Sequence, residues 1–299
     1  MLSEDKEKKL IELFIALDDF CLALYAWQSK QVPLATAAVN KPVMSDSELL
    51  TVLVFYQFSG YKCFEYYYHE LLEKELQSYF PQQVSYARFV ALIPRVLPGL
   101  YVFLKWRTCL SQRTGTYFID SKKLPVCDNH RIYQNQVFSQ VASRGKSSTG
   151  WFFGLKLHLI INEVGEVVNF LFTPANVADN NHQVLQHQLQ GLKGKCYGDR
   201  GYLSSLFEQF YQEGLQLITK IKSKMKNKLM RLEDKLKLRK RALIESVNDI
   251  LMSVFDLEHT RHRSPQNAYA HMLAALTAYC FYDNKPAVFF PNANFLSIA

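Results

Sequence analysis

Two short apolar runs in this chain each lead into a carboxylate. Thr116–Ile119 ends on Asp120, and Lys195–Tyr197 is followed by Gly198 and Asp199. In an open α/β sheet such positions lie at the functional rim, because loops and helix termini leave a crevice at strand ends. The intervening sequence supports a sheet. From Phe153 to Ile161 apolar residues alternate with Lys156 and His158, Asn162–Gly165 reads as a turn, and Val167–Phe172 returns as a strand. Residues 180–192 and 203–214 read as helices, with a further strand over 215–221. This order predicts a mixed α/β sheet with helices packed on it.

Before Thr108 the pattern is helical. Leu10, Ile11, Phe14, Ile15 and Leu17 recur at helical spacing, and Ser45 with Glu48 forms a capping box that Gly60 closes downstream. Ser85 is expected to cap a helix from Tyr86, which Pro94 and Pro98 are expected to bend or break. Short helices and tight turns suit a helix-turn-helix unit or a plain bundle, and periodicity does not separate the two. Helices are expected again over 242–255 and 267–279. The division expected is residues 1–110 as a helical domain and 111–299 as a sheet domain.

With 48% hydrophobic and 21% charged residues, the chain has an ordinary globular composition. No apolar run is read as long enough to cross a bilayer; Leu49–Phe58 and Met272–Tyr282 read as buried helices, so no membrane partner is expected. The charged start MLSEDKEKK argues against a signal peptide, and six dispersed cysteines without a CxxC pair suit a reducing cytoplasm. Net charge is +8, and it is concentrated. Residues 220–241 hold 11 Lys or Arg against Glu233 and Asp234, leaving 24 basic and 25 acidic residues elsewhere. Such a stretch is either a polyanion-binding segment or a solvated loop.

If the strands ending at Asp120 and Asp199 are neighbours, their carboxylates converge and repel unless a cation lies between them. Mg²⁺ suits such a pair, taking a few carboxylates while keeping water and phosphate oxygens as other ligands. Alone, Asp120 also reads as a loop cap with Ser121, and Asp199 as a surface pair with Arg200. A third acid is expected from a helix crossing near the sheet edge, for which RALIESVNDILMSVFDLEHTRHR offers Glu245, Asp249, Asp256 and Glu258. Arg241, Glu245, Asn248 and Asp249 share a polar face, a pattern that also reads as an ordinary surface pair.

FIDSKKLPVCDN, ASRGKSSTGWFFGLKLHLIIN, TPANVAD, GDRGY and RKRALIESVNDI with EHTRHRS, in this order, resemble the DDE-type insertion-sequence transposases, closest to the nine-eight-two insertion-sequence group. The resemblance covers nearly the whole chain, including MSDSELL and SYARFV in the helical front. It implies an RNase H-like catalytic core, a helical front that binds DNA ends, and cleavage with strand transfer at terminal inverted repeats. It also implies two Mg²⁺ ions, with Mn²⁺ able to substitute, held by Asp120, Asp199 and Glu245. The partners implied are double-stranded DNA and a second copy of the chain, in a bacterial cytoplasm. Arg241 matches the arginine of the signature around the glutamate. The signature's tyrosine falls at Leu238 and its lysine at Met252, and Lys237 or Arg239 are the candidate compensations for the missing lysine. DNA contacts are expected from Arg241, from Lys222, Lys224, Lys226 and Lys228, and from Arg144 and Lys146, taken as part of a loop facing the crevice. The competing readings are an RNase H-like nuclease without strand transfer and a catalytically decayed DNA-binding relative.

Overall fold

The computed structural model describes residues 2–31, 42–147, 150–220, 230–258 and 262–289. Chain contacts divide into two units: residues 1–107 with 251–282, and residues 108–250 with 283–299.

The first unit is helical. It contains α1 (Glu4–Gln31), α2 (Asp46–Ser59), α3 (Phe64–Tyr66) running into a π-helical turn (Tyr67–Leu72), α4 (Tyr86–Cys109, of which the last two residues fall in the second unit) and α9 (Pro265–Cys280). The capping box is present: Ser45 accepts from the Glu48 amide, the Glu48 carboxylate receives the Ser45 amide, and Gly60 closes α2 in the left-handed region. α2 is apolar nearly all round and lies between α1 and α9, which is why a helix from near the C-terminus belongs with the N-terminal ones. The simple split at residue 110 is corrected accordingly. α4 is corrected too: it runs unbroken through Pro94 and Pro98. Phe89, Ile93, Val96, Leu100, Phe103 and Leu104 bury one face of it, and this burial outweighs the backbone donors the prolines lack. By length and composition alone α4 is long and apolar enough to span a membrane, contrary to the expectation that no segment is. About a third of it is buried in the protein, as also happens in the core helices of soluble proteins.

The second unit is built on a six-stranded sheet: β1 (Thr116–Cys127), β2 (Ser143–Ser147), β3 (Gly150–Asn162), β4 (Val167–Pro174), β5 (Gly194–Gly198) and β6 (Leu215–Thr219). The order is β2-β3-β1-β5-β6, with β4 beside β2 along the same edge of β3. β1, β5 and β6 are parallel, and β3 is antiparallel to β1. α5 (His182–Leu189, capped by Asn181) and α6 (Phe207–Gln212) supply Leu185, Leu189 and Phe210 to a core with Tyr117, Ile119, Cys196 and Leu217 on one face of the sheet.

The opposite face carries Phe118 and Tyr197, whose rings lie 5.9 Å apart. Here α7 (Leu232–Arg239) is anchored by Asp234, 5% exposed, which accepts from Lys195 Nζ at 2.7 Å and Tyr197 Oη at 2.8 Å. The basic stretch is therefore not a solvated loop throughout, since its C-terminal part is a helix with a buried acid and a buried Leu238. Replacing Asp234 with Ala leaves the Tyr197 phenol without its acceptor and Lys195 with only the longer pair to Glu233 at 4.0 Å, and we expect a loss of about 2–4 kcal/mol in denaturant unfolding. α8 (Ala242–Ser253) follows at once.

Candidate active site

β1 and β5 pair in register through Thr116↔Lys195, Tyr117↔Cys196 and Phe118↔Tyr197. Asp120 and Asp199 each lie two residues beyond the last of these pairs. Two residues along a strand return a side chain to the same face, and neighbouring strands stand about 4.8 Å apart, so the fold aims both acids into one region. Asp120 does not end its strand, as the apolar run suggested. β1 continues to Cys127 against β3, with Asp120 opposite Leu159, and only the pairing with β5 stops.

Three groups converge on this point. Arg241 Nη1 lies 3.5 Å from Asp120 Oδ1, and its Nη2 lies 2.7 Å from Glu245 Oε1, so one guanidinium joins the β1 acid to the α8 acid. Asn248, one turn beyond Glu245, directs Nδ2 to Asp120 Oδ2 at 3.4 Å. Asp249 extends the contact to Lys122 on β1 at 3.8 Å. Leu243, Ile244, Val247 and Leu251 bury the other side of α8, which fixes the direction of this polar face.

Burial pushes the Asp120 carboxyl up to about 6; Arg241 and the Ser121 amide pull it down, while the charges of Asp199 and Glu245 push it up again. Asp199 caps a short 3-10 turn (Arg200–Tyr202) and accepts the Gly201 amide at 2.7 Å. Tyr202, expected as a packing residue, is 1% exposed in the core beneath the acids. Burial, with Asp120, Asp179 and Asp199 nearby, holds its phenol well above the usual range. His158, likewise expected to pack, is fully buried with Nε2 2.9 Å from Thr173 Oγ1.

One cluster was missed by sequence reasoning. Asp179 accepts from Ser121 Oγ at 2.8 Å and pairs with Lys156 Nζ at 3.1 Å, and Lys156 also donates to the Val177 carbonyl at 2.9 Å. The only signals were an acid within TPANVAD and a lysine interrupting the apolar alternation of β3, both open to blander readings.

The candidate ligands Asp120, Asp199 and Glu245 offer only carboxylate oxygen, and the proton affinity of Asp120 is raised chiefly by burial and further by the charges of Asp199 and Glu245, so their chemistry fits a hard divalent cation. Among the described residues no three His, Cys, Asp or Glu side chains are already gathered as one metal-holding group. The arrangement is bridged by arginine.

Other sequence-predicted residues fall elsewhere. Lys222, Lys224, Lys226 and Lys228 lie outside the described residues. Arg144 and Lys146 are corrected from a loop facing the crevice to an edge strand, β2, paired with the start of β3. Of the candidate compensations, Lys237 is engaged with Glu233 at 3.0 Å and Thr116 Oγ1 at 3.2 Å, whereas Arg239 is exposed.

In comparison with known families, the one described as Transposase DDE domain matches residues 110–265, more than half of the chain and all of the residues around Asp120. A search of curated proteins finds no match.

Proposed function

The chain belongs to the DDE transposases, a family of nucleic-acid-cleaving enzymes built on an RNase H-like α/β domain, and from that premise we propose that it cuts the terminal inverted repeats of its mobile element and joins them to target DNA. The observation that carries the proposal is the convergence of Asp120, Arg241 and Glu245, with Asp199 just past the end of the neighbouring strand, two residues beyond its last pair with β1. The finer assignment is to the nine-eight-two insertion-sequence group, acting as a homodimer on double-stranded DNA in the cytoplasm. The dimer rests on the need to hold two element ends together.

Asp120, Asp199 and Glu245 would hold two Mg²⁺ ions, or Mn²⁺ in their place. When bound, such a pair supplies activation of the attacking oxygen and stabilisation of the leaving one in an in-line displacement at phosphorus. The chain's own residues prepare the site. Asn248 orients the Asp120 carboxylate, and Asp199 is held by the Gly201 amide. Arg241 neutralises Asp120 and Glu245 and presents a planar fork suited to a phosphate when DNA arrives. Water is the first nucleophile and the freed 3′-hydroxyl the second, so no covalent protein intermediate is needed.

The test is purified protein with labelled terminal repeats, a target plasmid and Mg²⁺. Nicked and joined products are expected. Nicks without joined products would favour the nuclease reading, and neither would favour the decayed relative, which Met252 and the buried Leu238 keep in view. The N-terminal helices are proposed to bind the DNA ends, and Lys222, Lys224, Lys226 and Lys228 to neutralise backbone phosphates. Changing these four lysines to Gln should weaken binding to all sequences alike and flatten the slope of log affinity against log salt by about 3–4. An unchanged slope in a salt titration excludes the role.

A further inference from the structure

Away from the acids, at the far end of β3, Trp151 is 52% exposed on the edge of the sheet. It pairs with Lys146 across the β2–β3 hairpin, while Arg144 pairs with Phe153, so both cations share its face. Arg144 Cζ lies 5.0 Å and Lys146 Nζ 5.7 Å from the indole centroid. The platform is held from behind. Asn129 Nδ2 donates to the Trp151 carbonyl at 2.8 Å. Gly145 presses so closely on the Ala175 backbone that a Cβ there would lie 2.3 Å from its carbonyl oxygen. From Asp128 to Phe153 three cations, Arg131, Arg144 and Lys146, face one acid, Asp128.

We propose that Trp151, Arg144 and Lys146 form a binding site for an unpaired nucleotide of the DNA, with its base stacked on the indole and its phosphates on the two cations. Rigid aromatic surface flanked by positive charge is the chemistry that grips single strands without reading sequence. A paired base inside a duplex keeps its flat faces against its neighbours, so an exposed indole finds a partner only where the strand is unpaired. The register partner of Asp120, Leu159, lies eight residues along β3 from Trp151, about 26 Å. The nucleotide held is therefore distant from the scissile phosphate. The proposal rests on the DNA-processing reading above.

With Trp27 and Trp106 changed to Phe, Trp151 is the single tryptophan, and titration with a dT oligonucleotide should quench its emission more than an equal amount of blunt duplex does. Trp151→Leu should bind the oligonucleotide about tenfold more weakly, while Trp151→Phe keeps most of the affinity and so shows that the hairpin still folds. Quenching without DNA cleavage by the unaltered chain would support the platform and fail the catalytic reading. Cleavage without quenching, or equal affinity in the Leu variant, overturns the platform alone.

Discussion

Asp120→Asn should abolish metal-dependent cleavage, by about a thousandfold or more, while leaving DNA binding near its original level and making the metal-free protein more stable at neutral pH. The three outcomes have one cause. Asp120 is 21% exposed, and its carboxyl is pushed up to about 6 chiefly by burial. An unfolded chain holds that proton only to about pH 3.8, so between roughly 4 and 6 the folded protein binds more protons than the unfolded one. Stability therefore falls as pH rises through that window, and above it the ionised carboxylate costs at most about 3 kcal/mol. Asparagine carries no such charge. Its melting temperature should exceed that of the original chain at pH 7.5, and the gap should close at pH 4. Equal melting temperatures at pH 7.5, or cleavage that survives in the variant, would count against Asp120 as the strained ligand of this site.

Arg241 is the second large case. Its guanidinium, 17% exposed, joins Asp120 and Glu245, and it counters the burial that raises Asp120. Arg241→Ala removes the cation that bridges Asp120 and Glu245, with the Asp199 charge also nearby. Because Glu245 is half exposed, the penalty lies between that of a surface pair and a buried one, about 1–3 kcal/mol in the metal-free protein. Added Mn²⁺ should recover much of this stability, since a divalent ion relieves the same repulsion. Cleavage should still fall by about a hundredfold, because the fork that meets phosphate is gone. Arg241→Lys should restore charge and stability better than cleavage, as a single ammonium does not reproduce the two-armed bridge. If the Lys variant cleaves as well as the original chain, Arg241 serves as charge alone.

Much of this site could be read from the chain. Asp120 and Asp199 stood out because each follows a short apolar run, and Glu245 because Arg241 and Asn248 share its helix face. Local periodicity also placed the capping box at Ser45–Glu48 and the alternation of β3. Other features were not legible. Asp179 and Lys156 looked like loop and strand-face residues, and only the course of the chain after β4 brings one onto the other. SRGKS read as a loop because Ser and Gly dominate it, yet the free edge of β3 supplied a ladder for it. α4 kept its helix through two prolines because a long apolar face was there to be buried.

What the sequence determined by itself was the set of candidate groups: three carboxylates, an arginine one turn from the last, and the periodicities that make their flanks strands and helices. Those are local properties, set by side-chain type and spacing. The tertiary structure alone decided which groups meet. Parallel register puts Asp199 beside Asp120, burial of the apolar side of α8 aims Arg241 and Asn248 back at β1, and the apolarity of α2 draws α9 to the N-terminal helices. Contacts between residues more than a hundred positions apart depend on strand order and buried area, and neither is encoded in any single window of the chain.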